Sequence, residues 1–485
     1  MKATVRKKYK AVIGLEVHAQ LSLNSKMFSP EPATYGALPN TQLSPITLAH
    51  PGTLPKINKQ AVEYAIKLGL ACGCQITREN YFARKNYFYP DLPKGYQITQ
   101  DQTPICQGGY ITINTTLGQT KNIPLKRIHL EEDTGKSMHG MVAGETLLDF
   151  NRAGVALLEI VTQPEIANSE EAYQFLTELR KLVRYLEICD GNMEEGSLRC
   201  DANVSVMLVD ATELSPKVEV KNMNSIRNVQ LAIDHEIERQ IGICEAGGKV
   251  ISETRAYNAT IGQTIGQRSK ETALDYRYMP EPDLPVLVVV DAWIDQVRQA
   301  MPLLPRACYH KFIHEYQIPA YDAAVLSENK GIAIFFDELC KLTVNHKAAA
   351  NWVMGPVKAY LNELNLTIQE FPLCPSTLAL LVDLVEQDQL SFSVASQKLF
   401  PALLAQPDQV PLKLAASMNL LQEKDTSVLQ EIVDAILAAY PAQVLAYKNG
   451  KTGLLGMLMG EVMKKTNGKA SPKVAKELLT ERLST

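Results

Sequence analysis

Val12-Ile13-Gly14-Leu15-Glu16-Val17-His18-Ala19-Gln20-Leu21 alternates with a period of two. Ile13, Leu15, Val17, Ala19 and Leu21 share one face, and Gly14, Glu16, His18 and Gln20 share the other. Such spacing describes a strand with an oily back and a polar front. A carboxylate and an imidazole two residues apart on one strand face can share a metal ion, so this stretch points to chemistry on a sheet.

Four more stretches repeat the arrangement. Arg127, His129, Glu131 and Asp133 line one face of 127–133, and Arg199, Asp201, Asn203 and Ser205 line one face of 198–205. Lys217, Glu219 and Lys221 do the same over 217–221. Any one of these reads equally as the solvated side of an antiparallel sheet. Glu159 does not, because Leu157, Leu158, Ile160 and Val161 surround it and a buried carboxylate needs a partner. Together the five stretches predict a sheet packed on helices behind and dense in carboxylates in front. Crowded carboxylates require protons or a cation. Oxygen ligands with at most one imidazole favour Mg²⁺, with Mn²⁺ able to substitute, and carboxylate-held Mg²⁺ usually accompanies phosphates. The loop from Arg84 to Tyr96 supplies the opposite charge, mixing Arg84, Lys85 and Lys94 with Tyr87, Phe88, Tyr89 and Tyr96. Cations can hold phosphate oxygens and rings can stack on a base. A similar mixture recurs at Arg268-Ser269-Lys270-Glu271 and Asp275-Tyr276-Arg277-Tyr278.

The 485 residues carry a net charge of −4, so nucleic-acid contact requires a local basic patch. One lies near the end: 446–485 hold eight Lys or Arg against three Glu, a net +5. Nine cysteines without a paired framework, no signal peptide and no bilayer-length apolar run lead us to expect a cytoplasmic protein with no membrane partner. Gly135-Lys136-Ser137 ends like a P-loop, but Leu130 stands where the upstream glycine belongs. Cys72-Gly73-Cys74 has the wrong spacing for a zinc pair. Mixed strand and helix fill the chain to about residue 300. One helix begins near Asn168, with Glu171 as its capping-box partner and Gly191 just past its end. A second follows Val229, Ile233, Ile237 and Ile241, and beyond Pro302 helical periodicity takes over.

Five blocks carry a resemblance: 14–21, 84–91, 131–137, 194–203 and 275–284. They closely resemble the signature blocks of the B subunits of aspartyl/glutamyl-tRNA(Asn/Gln) amidotransferases, in the same order and over essentially the whole chain. The resemblance implies an α+β fold: a glutamine-synthetase-like cradle on a largely antiparallel sheet (1–300), an all-α helical domain (301–408) and a small α-helical YqeY-like tail that contacts tRNA (409–485). It implies an ATP-dependent carbon–nitrogen ligase that phosphorylates the side-chain carboxyl of Glu-tRNA(Gln), Asp-tRNA(Asn) or both. The product would be amidated with ammonia from a glutaminase, the A subunit, in a heterotrimer with a small C subunit. Carried over by motif, metal ligands fall on Glu16, His18, Glu131, Glu132, Glu159 and Asp201. The ammonia passage falls on Lys85, Lys94 and Glu194. From their chemistry rather than by motif, Glu132, Glu159, Lys85 and Arg199 are our candidates for catalysis, and Arg84, Lys85, Tyr87 and Arg199 for contacts to ATP. Some relatives bind zinc through a cysteine cluster where this chain has Met27-Phe28-Ser29-Pro30, so no zinc is expected. Two other readings stay open: a free-standing ligase for a small amino acid, and a non-catalytic tRNA scaffold.

Overall fold

The opening alternation is kept in three dimensions. Along β1 (Tyr9–Gln20), Ile13, Leu15, Val17 and Ala19 are buried and the residues between them are half-buried. The computed structural model describes residues 6–115, 118–269, 276–422, 426–466, 470 and 472–484. These fall into two units, Met1–Leu304 and Pro305–Thr485. The later strands of the first unit are β2 (Gln75–Ile76), β3 (Glu79–Asn80), β4 (Ala83–Asn86), β5 (Tyr96–Thr99), β6 (Cys106–Gln107), β7 (Tyr110–Asn114), β8 (Thr120–Glu132), β9 (Lys136–His139) and β10 (Thr146–Asp149). They continue with β11 (Ala156–Thr162), β12 (Leu198–Leu208), β13 (Val218–Lys221), β14 (Glu253–Asn258), β15 (Gln263–Ser269), β16 (Met279–Pro280) and β17 (Leu287–Val288).

Ten of them form one sheet in the order β15-β14-β13-β12-β1-β11-β8-β6-β2, with β7 also on β8. Among the described residues only β13 and β14 run parallel, so the sheet is mixed but largely antiparallel, as expected. A small sheet β16-β4-β5 carries the Arg84–Tyr96 segment. The β1 register sets His18 opposite Glu159 of β11 and Arg199 of β12, and Glu16 opposite Asp201. On β8, His129 pairs with Glu159 and Glu131 with Leu157. The predicted polar faces therefore lie side by side.

Helices α1 (Lys59–Ala71), α2 (Ser169–Tyr185) and α3 (Ile226–Glu245) cover the apolar back. Ile66, Phe175, Leu179, Ile233 and Ile237 pack into one core with Leu15, Val17, Leu130 and Ile160. Each such burial contributes roughly 1.5–3 kcal/mol. The Asn168 side chain caps α2 by accepting from Glu171 N at 2.8 Å, while the Glu171 carboxylate accepts from Ala167 N at 2.9 Å. The expected box is thus displaced by one residue. Gly191 does not end this helix. It stops at Tyr185, and Glu187 takes the left-handed conformation (φ 58°).

The second unit is helical from Pro305–His314 onward, matching the change of texture after Pro302. Pro375 stands in the first turn of a helix, where a missing N–H costs nothing, and Pro401 directly follows the π-helical stretch Ala395–Leu399. Helix Pro411–Ser417 packs on Pro375–Glu386. The final helices build a separate apolar cluster that includes Leu429, Val433, Leu458, Val462 and Leu479. Among the described residues no helix is long and apolar enough to cross a membrane.

Candidate active site

The front of the sheet gathers His18, Glu131 and Glu159, whose ligand atoms all lie within 4.8 Å of one another. His18 Nε2 is 3.5 Å from Glu159 Oε2 and 3.9 Å from Glu131 Oε1. His129, fully buried beside them, places its Nε2 3.3 Å from Glu159 Oε2 and 3.7 Å from Glu131 Oε2. Burial works against a charge on either imidazole, but the two carboxylates outweigh it: His18 is raised and His129 is pushed up to about 9. Burial would raise both carboxyls, yet Glu131 is lowered by Lys85 and His129, and Glu159 falls well below its ordinary range beside His129 and His18. Thr99 Oγ1 donates to Glu131 Oε2 at 3.1 Å and Gln97 Nε2 to Oε1 at 3.2 Å. Two carboxylates and an imidazole this close fit an oxygen-preferring divalent cation. It would replace positive charge now supplied by His18, His129 and Lys85. His129 Nδ1 is buried with no hydrogen-bond partner among the described residues.

Above this group opens a cavity of about 600 Å³, lined among others by His18, Lys85, Tyr87, Glu131, Arg199 and Asp201. Lys85 lies 5.0 Å over the Tyr276 ring. Burial would lower its pKa, but Glu131 and Glu159 raise it above the ordinary lysine value. Tyr87 donates to Gln97 Oε1 at 3.0 Å. Arg199 Nη2 donates to Asp133 Oδ2 at 2.7 Å, and Gln20 Nε2 donates to the same oxygen at 2.7 Å. Glu16 and Asp201 stand one same-face step along the sheet, about 7 Å from the His18–Arg199 pair. Glu16 Oε1 accepts from Asn203 Nδ2 at 2.9 Å. Asp201 is ion-paired with Lys221, which also lies 3.2 Å from Glu219.

Four predicted residues point elsewhere. Glu132 follows Glu131 on the strand and turns to the opposite side, where it pairs with Lys94 and accepts from Ile98 N at 2.9 Å. Lys94 and Glu132 line a separate small pocket with Phe28, Thr47 and Gly154. Arg84 makes a fork with Glu281 (Nε–Oε2 2.9 Å, Nη2–Oε1 2.8 Å) and reaches Asp283 at 3.1 Å. Glu194 is exposed in the turn before β12. Lys270, Glu271 and Asp275 lie outside the described residues. Sequence reasoning gave no role to His129, Asp133, Gln97 or Lys221. The first two share the predicted polar face of β8, and Lys221 shares that of β13, so alternation alone could have found them.

Residues 11–295 match the family model described as GatB/GatE catalytic domain, and 334–483 match one described as GatB domain. The chain is 46% identical to the B subunit of the aspartyl/glutamyl-tRNA(Asn/Gln) amidotransferase of Salinibacter ruber, over 98% of this chain and 97% of that one. It is 46% identical to the protein of that name from Pelodictyon phaeoclathratiforme, over 98% and 99%. The one from Thermoanaerobacter pseudethanolicus is 45% identical, over 98% and 100%.

Proposed function

The chain belongs to the GatB/GatE family, and on that premise we propose that it is the B subunit of a tRNA-dependent amidotransferase. In this reading it uses ATP to phosphorylate the side-chain carboxyl of Glu-tRNA(Gln), Asp-tRNA(Asn) or both. The acyl phosphate then reacts with ammonia from a glutaminase partner, and a small third chain completes the assembly. The reaction class is a carbon–nitrogen ligase with glutamine as nitrogen donor. One observation carries the reading: the half-buried His18 and the buried Glu131 and Glu159 form a group that opens on a cavity flanked by Lys85 and Arg199.

His18, Glu131 and Glu159 would hold Mg²⁺, with Asp201 and Glu16 close enough along the sheet to join a second position. When bound, that ion neutralises phosphate charge during transfer. Lys85 is held cationic by the charges of Glu131 and Glu159 and can take phosphate oxygens without losing its proton. Arg199, anchored by Asp133, offers a second clamp from the neighbouring strand. Gln97 and Thr99 hold Glu131 so that its oxygens face the cavity. Tyr87 and Leu157 narrow the lining and limit water, which would hydrolyse an acyl phosphate. Lys94 and Glu132, on the other side of β8, suit the passage of ammonia better than metal binding.

We further propose a glutamine-synthetase-like cradle over 1–300, a helical domain over 301–408 and a YqeY-like tail over 409–485. The separate apolar cluster from Leu429 to Leu483 supports an independent tail. The test is co-expression with candidate A and C subunits, followed by assay of charged tRNA for amide product. Amide formation should require both glutamine and ATP. Product formed without ATP, or no product with all components present, overturns the reading.

A further inference from the structure

Lys221 ends β13 on the floor of the large cavity and has no part in the mechanism above. Its ammonium is ion-paired with Asp201 on the adjoining strand and lies 3.2 Å from Glu219 Oε1. Asp201 stands opposite Glu16, so three carboxylates from β1, β12 and β13 neighbour one another on the face that also carries His18. Lys221 holds Asp201 Oδ2, so a divalent cation taking that carboxylate would meet the like charge of the ammonium at close range. Lysine is a compact charge on a flexible four-carbon stem, so Nζ can move several ångströms without backbone change. Asn222, Met223 and Asn224 continue the cavity lining directly after it, which leaves the stem room to swing inward.

We propose that Lys221 is an exchangeable counter-cation. It neutralises Asp201 and Glu219 while the site holds no metal–nucleotide, then yields Asp201 to the incoming divalent ion and transfers its ammonium to a phosphate oxygen. The inference rests on the kinase reading and deepens it. No bond is made or broken in the exchange. One ion pair is traded for another, so phosphate charge is met by a cation already in the cavity.

Removing the ammonium should therefore move two affinities in opposite directions. In full-length Lys221→Met, free Mn²⁺ followed by electron paramagnetic resonance should bind about tenfold tighter, because nothing competes for Asp201. The Mn²⁺ complex of a non-hydrolysable ATP analogue, followed by calorimetry, should bind about tenfold weaker. Lys221→Arg, which keeps the charge, should hold the nucleotide affinity near wild type. Circular dichroism and melting curves check that each variant is folded. Two affinities moving together, or neither moving in a folded variant, overturn the proposal. A wild-type chain that binds neither Mn²⁺ nor the analogue sinks the kinase reading itself, which separates the two failures.

Discussion

Two lysines of the first unit, Lys26 fully buried and Lys85 half-buried, meet surroundings that treat the charge in opposite ways. Lys85, in front of the sheet, faces Glu131 and Glu159, and its pKa is raised despite burial. Lys26 is fully buried on the side shared with Glu132; both approach Gly154. Its Nζ donates to Gln42 O at 2.7 Å and lies 3.9 Å from Glu31 Oε1. Burial dominates there, and its pKa is lowered to about 8 although Glu31 and Glu132 pull upward. The difference is one of balance: burial outweighs Glu31, Glu132 and Asp149 at Lys26, whereas Glu131 and Glu159 outweigh burial at Lys85. The front gathers acids around a cavity where a substrate's charge must be met. The flank uses one lysine to tie the 26–42 loop and leaves Glu31 Oε2 and Gln42 Oε1 without partners among the described residues.

The largest expected effect tests the front. Glu131→Gln removes a cluster carboxylate and half of the pairing that keeps Lys85 charged. ATP-dependent amide formation should fall about a thousandfold, the upper range for deleting one preorganised electrostatic contact. Mn²⁺ binding at the His18–Glu131–Glu159 position, read by paramagnetic resonance, should disappear with it. Retained Mn²⁺ affinity would break the assignment of the front as the metal-binding side.

The next effect tests the flank through pH. An unfolded lysine titrates near 10.4 and Lys26 near 8, so between these values the unfolded chain binds more protons than the folded one. Stability from this group therefore rises with pH across that window, by up to about 3 kcal/mol. Subtracting the Lys26→Met unfolding profile from that of the wild type should isolate the rise. A flat difference from pH 8 to 10.5 would mean that Lys26 keeps its charge as Lys85 does. The front has the opposite sign. His129, raised to about 9, stabilises the metal-free fold fully below about pH 6.5 and loses that contribution as pH climbs through 9.

Much of this contrast is legible in the sequence. Period-two alternation marks the buried and polar faces of β1 and the shared front of β8, β11 and β12. It fails to separate roles at the end of β8, where 128–132 are all buried because both faces are covered. Adjacency in a motif ties Glu131 to Glu132, but the pleat sends neighbours to opposite sides. Arg84 reads as a clamp because its partner Glu281 is almost two hundred residues away, and no local pattern reveals a fork of that range. The end of α2 is misplaced because glycine signals a left-handed residue, whereas Glu187 adopts one here.

Glu132→Gln should sharpen the division. The change removes the charge opposite Lys94 and weakens the bond from Ile98 N, worth about 2 kcal/mol for a charge-assisted contact. Glutamine-dependent amidation should drop between about tenfold and a hundredfold while Mn²⁺ affinity stays at the wild-type value. If Glu132→Gln abolishes Mn²⁺ binding as Glu131→Gln does, the two sides of β8 act as one site.

The smallest effect concerns charge that was never buried. Lys448, Lys451, Lys464, Lys465 and Lys476 of the tail are exposed, with water in place of the carboxylates that surround Lys85. Exposed ammonium groups that neutralise tRNA phosphates release counterions, so their contribution weakens as salt rises. Lys464→Ala with Lys465→Ala should weaken tRNA binding modestly and lower the slope of log affinity against log salt by about 1 for each phosphate no longer neutralised. ATP hydrolysis in the first unit should be unchanged, because the substitutions lie in the second. An unaltered slope in a folded double variant would mean that Lys464 and Lys465 neutralise no tRNA phosphate and would leave the tRNA to be held by other cations of the chain.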